Sequence, residues 1–428
     1  MKLLIKNALV VKMDSEASPS IEDIGIVNSR IKYLGKSSSF KEDFDEVLDA
    51  ENMIALPAFV NAHTHLSMEY MRNYKDTAPD LFSWLNEIFP IEAKLNDNDV
   101  YWGSLLGCAE LIKGGCTTFA DMYFFRDQTA KAVKESGINA NLGFTLFGDL
   151  EDSKRRYKEE YPKIKPFVDH DRIILDVAPH AIYTTSGPSY IYGADFAKDI
   201  GGKLHTHLSE TSKEVKDSIQ SFNMTPAMYL ESLGIFDKVG TYLAHCVHLT
   251  EKEINLLKRK DVSIVHNPSS NCKLASGIAP MKSYKNHGIN TALGTDGASS
   301  NNNLNMMKEL NLAALLASVS EMDTVAFTPF EILQMATLGG AKALGREKDL
   351  GTIEIGKKAD IILIDKNMVN MTPLNNIYSA LVYSCSSENI DTVISNGKIL
   401  MKNRKLLTLN EKEICKKVNE VWLDIKER

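Results

Sequence analysis

The chain lacks several features that would settle its class at once. Its six cysteines, at positions 108, 116, 246, 272, 385 and 415, form no CxxC pair and no compact framework. A small disulfide scaffold is excluded, and free thiols in a reducing cytoplasm are expected. No uninterrupted apolar run is long enough to span a bilayer. The opening "MKLLIKNALVVKMD" is interrupted by Lys6 and Asn7 and leads to no small-residue cleavage site, so it reads as a strand rather than a signal peptide. Like-charge blocks are missing too. The densest basic cluster, "KRRYKEE", meets acids within a few positions, and 49 basic against 56 acidic residues give a net charge of -7. Neither a nucleic-acid footprint nor an anionic-membrane footprint is present. Neither GxGxxG nor GxxxxGK[ST] occurs to cradle a phosphate. The H-x-E and P-C-x-x-C pattern of one class of zinc deaminases is also missing.

What is present is the composition of an ordinary globular enzyme: 428 residues, 44% hydrophobic and 25% charged. Short alternating segments occupy residues 1–56, and similar strand-turn-strand pieces return in "GTIEIGKKADIILIDK" and "DTVISNGKILMKNRKLL". In the latter, Asn396-Gly397 suits a tight hairpin turn. The two ends are therefore expected to share one small β-sandwich, made of residues 1–56 and 349–428, the latter with a terminal helix. Between them helices alternate with apolar strands. "YWGSLLGCAELIKGG" reads as a helix stopped at Gly114-Gly115 before the strand-like "TTFADMYF", and "TEKEINLLKRK" opens with Thr250 and Glu253 at capping-box spacing. Such alternation over residues 57–348 predicts an α/β domain, a (β/α)8 TIM barrel, with a doubly wound sheet as the rival.

Ligand-type residues recur where strands should end. "NAHTHLSMEYM" follows the apolar "MIALPAFV" and places His63 and His65 two apart, on one face of a strand end. A bare His-x-His also fits two solvent-facing side chains, so it needs partners. "KLHTHLSET" supplies His205, His207 and Glu210, "TYLAHCVHL" supplies His245 and His248, "SIVHNPSSN" supplies His266, and "TALGTDGASSNN" supplies Asp296. In a parallel barrel these strand ends meet at one mouth. His170 and His287 sit in polar loop contexts and are read as bland.

Taken together, "NAHTH", "HLSET", "AHCVH", "HNPSSNCKLASGIAP" and "LGTDGASSNN" resemble the amidohydrolase superfamily, and within it the 5'-methylthioadenosine/S-adenosylhomocysteine deaminases, over nearly the whole chain. The resemblance implies one divalent metal, zinc or else iron, held by His63, His65, His207 and Asp296. It implies that Glu210 moves protons, that His245 faces the attacking water, and that Asp296 also orients and deprotonates that water. The implied reaction is hydrolytic deamination of a 5'-modified adenosine in the cytoplasm. The implied partner is a small nucleoside, with neither nucleic acid nor membrane and with homo-oligomerisation left open.

The resemblance also implies a substrate set. In "FSWLNEIFPIEAKL", Glu92 would accept the ribose 2'- and 3'-hydroxyls, with Trp84 as a core or lid aromatic. His180 in "VAPHAIYTTS" would touch the purine nucleoside. Phe144 in "INANLGFTLFGD" stands where homocysteine-accepting relatives can carry an arginine, and Arg156 falls near a second arginine position. A phenyl ring there suits a small apolar 5'-group better than a carboxylate. Two other readings compete: an amidohydrolase acting on a free nucleobase or triazine, and a noncatalytic metal-binding scaffold.

Overall fold

The structure, a computed structural model, describes residues 2–41, 43–258 and 260–428. Five strands open the chain: β1 (Lys2–Val10), β2 (Ser20–Val27), β3 (Arg30–Gly35), β4 (Glu46–Asp49) and β5 (Met53–Pro57). Eight follow in the central region: β6 (Phe59–Thr64), β7 (Cys116–Tyr123), β8 (Asn139–Leu146), β9 (Ile173–Pro179), β10 (Leu204–Leu208), β11 (Thr241–His245), β12 (Val262–His266) and β13 (Asn290–Leu293). β14 (Ile361–Asp365), β15 (Ile390–Ser395), β16 (Lys398–Lys402) and β17 (Lys405–Leu406) precede a terminal helix, Glu411–Glu427.

The central strands pair in chain order as one parallel sheet. Their ends close through side chains and loop backbone: Asp296 N–H donates to the His63 carbonyl at 3.0 Å, Thr295 N–H to Asn61 Oδ1 at 3.0 Å, and Thr64 Oγ1 to the Asp296 carbonyl at 2.9 Å. The barrel expected from helix and strand alternation is thus formed, and its closing seam lies beside two nominated ligands. Nearer the strand N-termini the interior stays polar, tied together by a network around Asp176. Tyr242 and Asn141 both donate to Asp176 Oδ2, at 2.8 and 2.7 Å, and Arg346 Nε donates to Asn141 Oδ1 at 2.6 Å. Buried polar groups are tolerated when each finds a partner.

The predicted local signals carry over. The helix Asp97–Lys113 ends at Gly114, and Thr250 with Glu253 caps the helix Glu251–Leu257 in both directions. Asn396 and Gly397 take positive φ, 48° and 72°, as a tight turn of the right hand between β15 and β16 requires. The two chain ends meet in one connected, nine-stranded mixed sheet, in which β5 pairs antiparallel with β14 from Pro57 opposite Ile361 to Met53 opposite Asp365. Its apolar residues, among them Leu3, Ile5, Ile24, Ile26, Ile361 and Ile394, form a core of their own. Among the described residues no helix is long and apolar enough to cross a membrane.

Candidate active site

The mouth of the barrel gathers the imidazoles nominated as ligands. His63 ends up on β6 and His65 just beyond it, while β10 carries His207 and the loop after β13 carries Asp296. His65 Nε2 and His63 Nε2 lie 3.2 and 3.4 Å from Asp296 Oδ1, and His207 Nε2 lies 3.3 Å from His65 Nε2. The ligand atoms of His63, His65 and His207 all fall within 4.8 Å of one another, and so do those of His63, His245 and Asp296.

Each ring is oriented from behind. His65 Nδ1 faces the Met122 carbonyl at 2.7 Å, His207 Nδ1 the His180 carbonyl at 2.8 Å, and His63 Nδ1 the ring of His205 at 2.9 Å. Such partners fix the tautomer and aim Nε2 at a common point. His63 Nε2 is fully buried without a hydrogen-bond partner, a costly arrangement that a cation at that point would relieve. Burial pushes His63 down to about 4, which keeps its ring neutral and able to ligate. His65 is opposed by the same burial but is held up, to about 9, by Asp296 beside it; a divalent cation competes with that proton. Burial would raise Asp296, yet His63 and His65 hold it well below the usual carboxylate range. Its Oδ2 accepts from Ser270 Oγ at 2.6 Å and Ser300 Oγ at 2.9 Å, which turns Oδ1 toward the histidines. Three imidazoles and a carboxylate converging in this way fit a divalent transition metal.

A second pair stands next to this set. Glu210 and His245 are buried, with Oε2 and Nε2 3.7 Å apart. Asn271 Oδ1 holds His245 Nδ1 at 2.8 Å, and Ser276 Oγ donates to Glu210 Oε1 at 3.1 Å. Burial raises the Glu210 carboxyl above its usual range. Left-handed backbone at Ser209, His245, Cys246 and Asp296, with φ of 49°, 70°, 48° and 61°, turns the chain sharply at the three strand ends that carry these groups. Non-glycine residues adopt such angles at a cost of about 1–3 kcal/mol each, paid where surrounding contacts hold them. For Ser209 the holding group is Glu214, whose carboxylate accepts the backbone N–H of Ser209 at 2.9 Å and of Glu210 at 2.7 Å.

The metal-side and proton-side groups share one chamber with Trp84, Phe89, Glu92, Thr145, Phe147, His180 and Tyr183. Trp84 and Glu92 lie on the helix Leu81–Glu92 that covers it, and Trp84 Nε1 is buried without a partner. His180 stacks on Phe147 with ring centroids 4.7 Å apart. Glu92 also borders an outer cavity of about 570 Å3, where Arg156 stands.

Phe144 is the nominated residue that faces elsewhere. It is fully buried between Phe196, at 5.4 Å in an edge-on arrangement, and the Arg126 guanidinium, 4.4 Å from the ring centroid. Its neighbour Thr145 faces the chamber instead, as strand alternation demands. Its direct contact with a 5'-group, expected from its place in the sequence, is therefore corrected to a packing role. Phe144→Ala should accordingly cost about 3–5 kcal/mol of stability, as a urea midpoint would show. His248 and His266 also stand outside the ligand group, with His248 Nε2 bound to the Ser276 carbonyl at 2.7 Å.

Residues 54–400 match the amidohydrolase family. The chain belongs to that family. This amidohydrolase is 43% identical to a 5-methylthioadenosine/S-adenosylhomocysteine deaminase of Caldanaerobacter subterraneus subsp. tengcongensis, over 98% of each chain. It is also 43% identical to a 5'-deoxyadenosine deaminase of Methanobrevibacter smithii, over 99% of this chain and 98% of that one. Among solved structures, an adenosine deaminase of Xanthomonas campestris with bound zinc superposes with a TM-score of 0.94 at 31% identity, covering 100% of this amidohydrolase and 99% of that chain.

The sequence reading passed over Glu214, Asn271, Ser270, Ser276 and Ser300. All but Glu214 lie inside the strings "SSNCKLASGIAP" and "GTDGASSNN". Their place within those restrictive strings was the available signal. For Glu214 the signal was its capping-box spacing from Thr211 in "TSKE", where the Thr211 hydroxyl accepts the Glu214 N–H at 3.1 Å; that its side chain grips the N–H groups of residues 209 and 210 was not encoded there.

Proposed function

We propose that this amidohydrolase removes the 6-amino group of a 5'-modified adenosine by hydrolysis, giving the inosine analogue and ammonia. One observation carries the reading: a ligand set of His63, His65, His207 and Asp296 adjoins a buried Glu210–His245 pair in a chamber that continues past Glu92. The names of the relatives described above support it.

A single divalent ion, zinc by its imidazole and carboxylate donors, would be held by those four residues and would supply Lewis acidity, which can lower water's pKa from 15.7 to about 7. The protein's own groups account for the rest. Asp296 Oδ1, fixed by the serines on its other oxygen, accepts a proton from the attacking water. Glu210 delivers a proton to ring N1, which makes C6 electrophilic. His245, fixed by Asn271, steadies the oxygen as the C6–O bond forms. The C6–N bond then breaks, the second proton of water leaves with the amino group as ammonia, and the proton taken up by Asp296 passes back to Glu210, which restores both carboxyl groups for the next turnover. Phe147, His180 and Trp84 wall the chamber against bulk water and offer ring faces to a purine. Six free thiols suit a reducing cytoplasm.

Ammonia release should be measured with adenosine, 5'-deoxyadenosine, methylthioadenosine, S-adenosylhomocysteine, adenine and guanine, alongside metal analysis. Turnover of the nucleosides above the bases is the expected result. Faster turnover of the free bases would favour the nucleobase reading, and no turnover by metal-loaded protein would favour a scaffold.

Glu92 has a separate test. Burial pushes its carboxyl up to about 7, so its full acceptor capacity toward a ribose diol is present above that pH and lost as pH falls below it. Discrimination between adenosine and 2',3'-dideoxyadenosine should therefore weaken as pH falls through 7. Glu92→Gln should reduce that discrimination about tenfold, given about 1.5–3 kcal/mol for a hydrogen bond to a charged group, and remove its pH dependence. Unchanged discrimination in the variant would move ribose recognition elsewhere.

A further inference from the structure

We propose that Glu160 sets substrate specificity by occupying the arginines of the outer cavity and so disfavouring a 5'-substituent that ends in a carboxylate. The inference rests on the nucleoside deamination proposed above. A ribose held at Glu92 directs its 5'-carbon outward, because Glu92 borders both the catalytic chamber and the outer cavity.

An aromatic ladder joins the two spaces. Phe147 stacks on His180 at 4.7 Å on the inner side and on Phe124 at 5.6 Å on the outer side. Beyond it stand Arg126 and Arg156, the guanidinium groups that could pair a carboxylate through two parallel hydrogen bonds, with the exposed Lys163 also on the cavity wall. Arg126 has all three nitrogens engaged, while Arg156 has one terminal nitrogen engaged and its Nε buried without a partner. Glu160 Oε2 accepts from Arg126 Nη1 at 2.6 Å, and Glu160 Oε1 accepts from Arg156 Nη1 at 3.3 Å.

Arg126 is buried and pinned by its other nitrogens. Its Nε donates to the Gly143 carbonyl at 3.2 Å and its Nη2 to the Tyr123 carbonyl at 3.3 Å. It cannot turn toward a ligand, and its effect is to fix Glu160 in the wall. Arg156 is held by fewer bonds, with its guanidinium 5.9 Å from the Phe124 ring and 5.8 Å from the Phe147 ring. To engage Arg156, an incoming carboxylate has to displace Glu160 or lie beside it. Like charges so placed oppose binding. A methylthio or methyl group meets Phe89, Phe124 and Phe147 without that opposition.

The test compares kcat/KM for S-adenosylhomocysteine and methylthioadenosine on the metal-loaded protein and three variants. Glu160→Gln should raise the ratio of the first to the second about tenfold, equal to 1.4 kcal/mol, because the amide keeps the shape and removes the charge. Arg156→Met alone should shift the ratio less than about twofold, since one terminal nitrogen of that guanidinium is engaged by Glu160 and its Nε is buried. Added to Glu160→Gln, it should abolish the gain. An unchanged or lowered ratio in Glu160→Gln overturns the proposal, as does a drop of about tenfold in Arg156→Met alone, which would show the arginine already reading the carboxylate. Should the parent protein turn over neither nucleoside, the deamination reading falls. Calorimetric affinities of the same two nucleosides for the same proteins then decide the role of Glu160 by the same ratio.

Discussion

Glu210→Gln is expected to keep the fold and bind metal as before while losing about 10²–10⁴-fold in kcat, the usual contribution of a positioned general acid–base group. The glutamine fills the same volume and its oxygen can still accept from Ser276 Oγ. The turn that aims residue 210 is untouched, because Glu214 grips the backbone N–H groups of residues 209 and 210 rather than the side chain. What disappears is the carboxyl 3.7 Å from His245, which burial raises and so poises to carry a proton. Metal analysis and circular dichroism should match the parent protein while ammonia release collapses. Turnover within about tenfold of the parent would assign proton delivery to another group.

The architecture was legible where local chemistry dictates it. Helix and strand alternation announced the barrel, and the Thr250–Glu253 box and the Asn396-Gly397 turn appear where their sequences place them. Ligand-type residues at several strand ends were visible as one group because a parallel barrel delivers strand ends to one rim, and the family resemblance then narrowed them to the four proposed ligands. Which side of a strand a residue faces was harder to read. β8, "NANLGFTL", alternates Asn139, Asn141, Gly143 and Thr145 with Ala140, Leu142, Phe144 and Leu146, which sets Phe144 on the face opposite Thr145; because both faces are buried, the alternation had to be read together with the barrel to tell which face lines it. Chain-distant pairings were invisible for a related reason. The antiparallel match of β5 to β14 joins residues about three hundred positions apart, and no short-range pattern encodes it. Glu160 had the look of an exposed residue of an amphipathic helix. Its meaning depends on Arg126, which reaches it from the start of another helix.

His207→Ala is expected to lower bound metal and turnover together. The ring sits with Nδ1 anchored on the His180 carbonyl and Nε2 directed at the point shared with His63 and His65, so alanine removes one donor and leaves the others in place. Losing one of four donors weakens a site whose affinity depends on every position being filled, and the effect should reach global stability. A ligand that binds only the folded state stabilises it by about 4.1 kcal/mol at a thousand times its dissociation constant. The parent protein should therefore melt at a higher temperature with excess zinc than after chelation, and His207→Ala should lose most of that difference. The chelated forms should differ only by the packing lost with a buried ring that lies against His63, His65, His180 and His245, so the zinc-dependent part of the difference reports ligation. A variant that keeps full metal content and turnover would remove His207 from the ligand set. A variant that loses turnover while keeping both its metal and its zinc-dependent melting shift would make it a substrate-positioning residue instead.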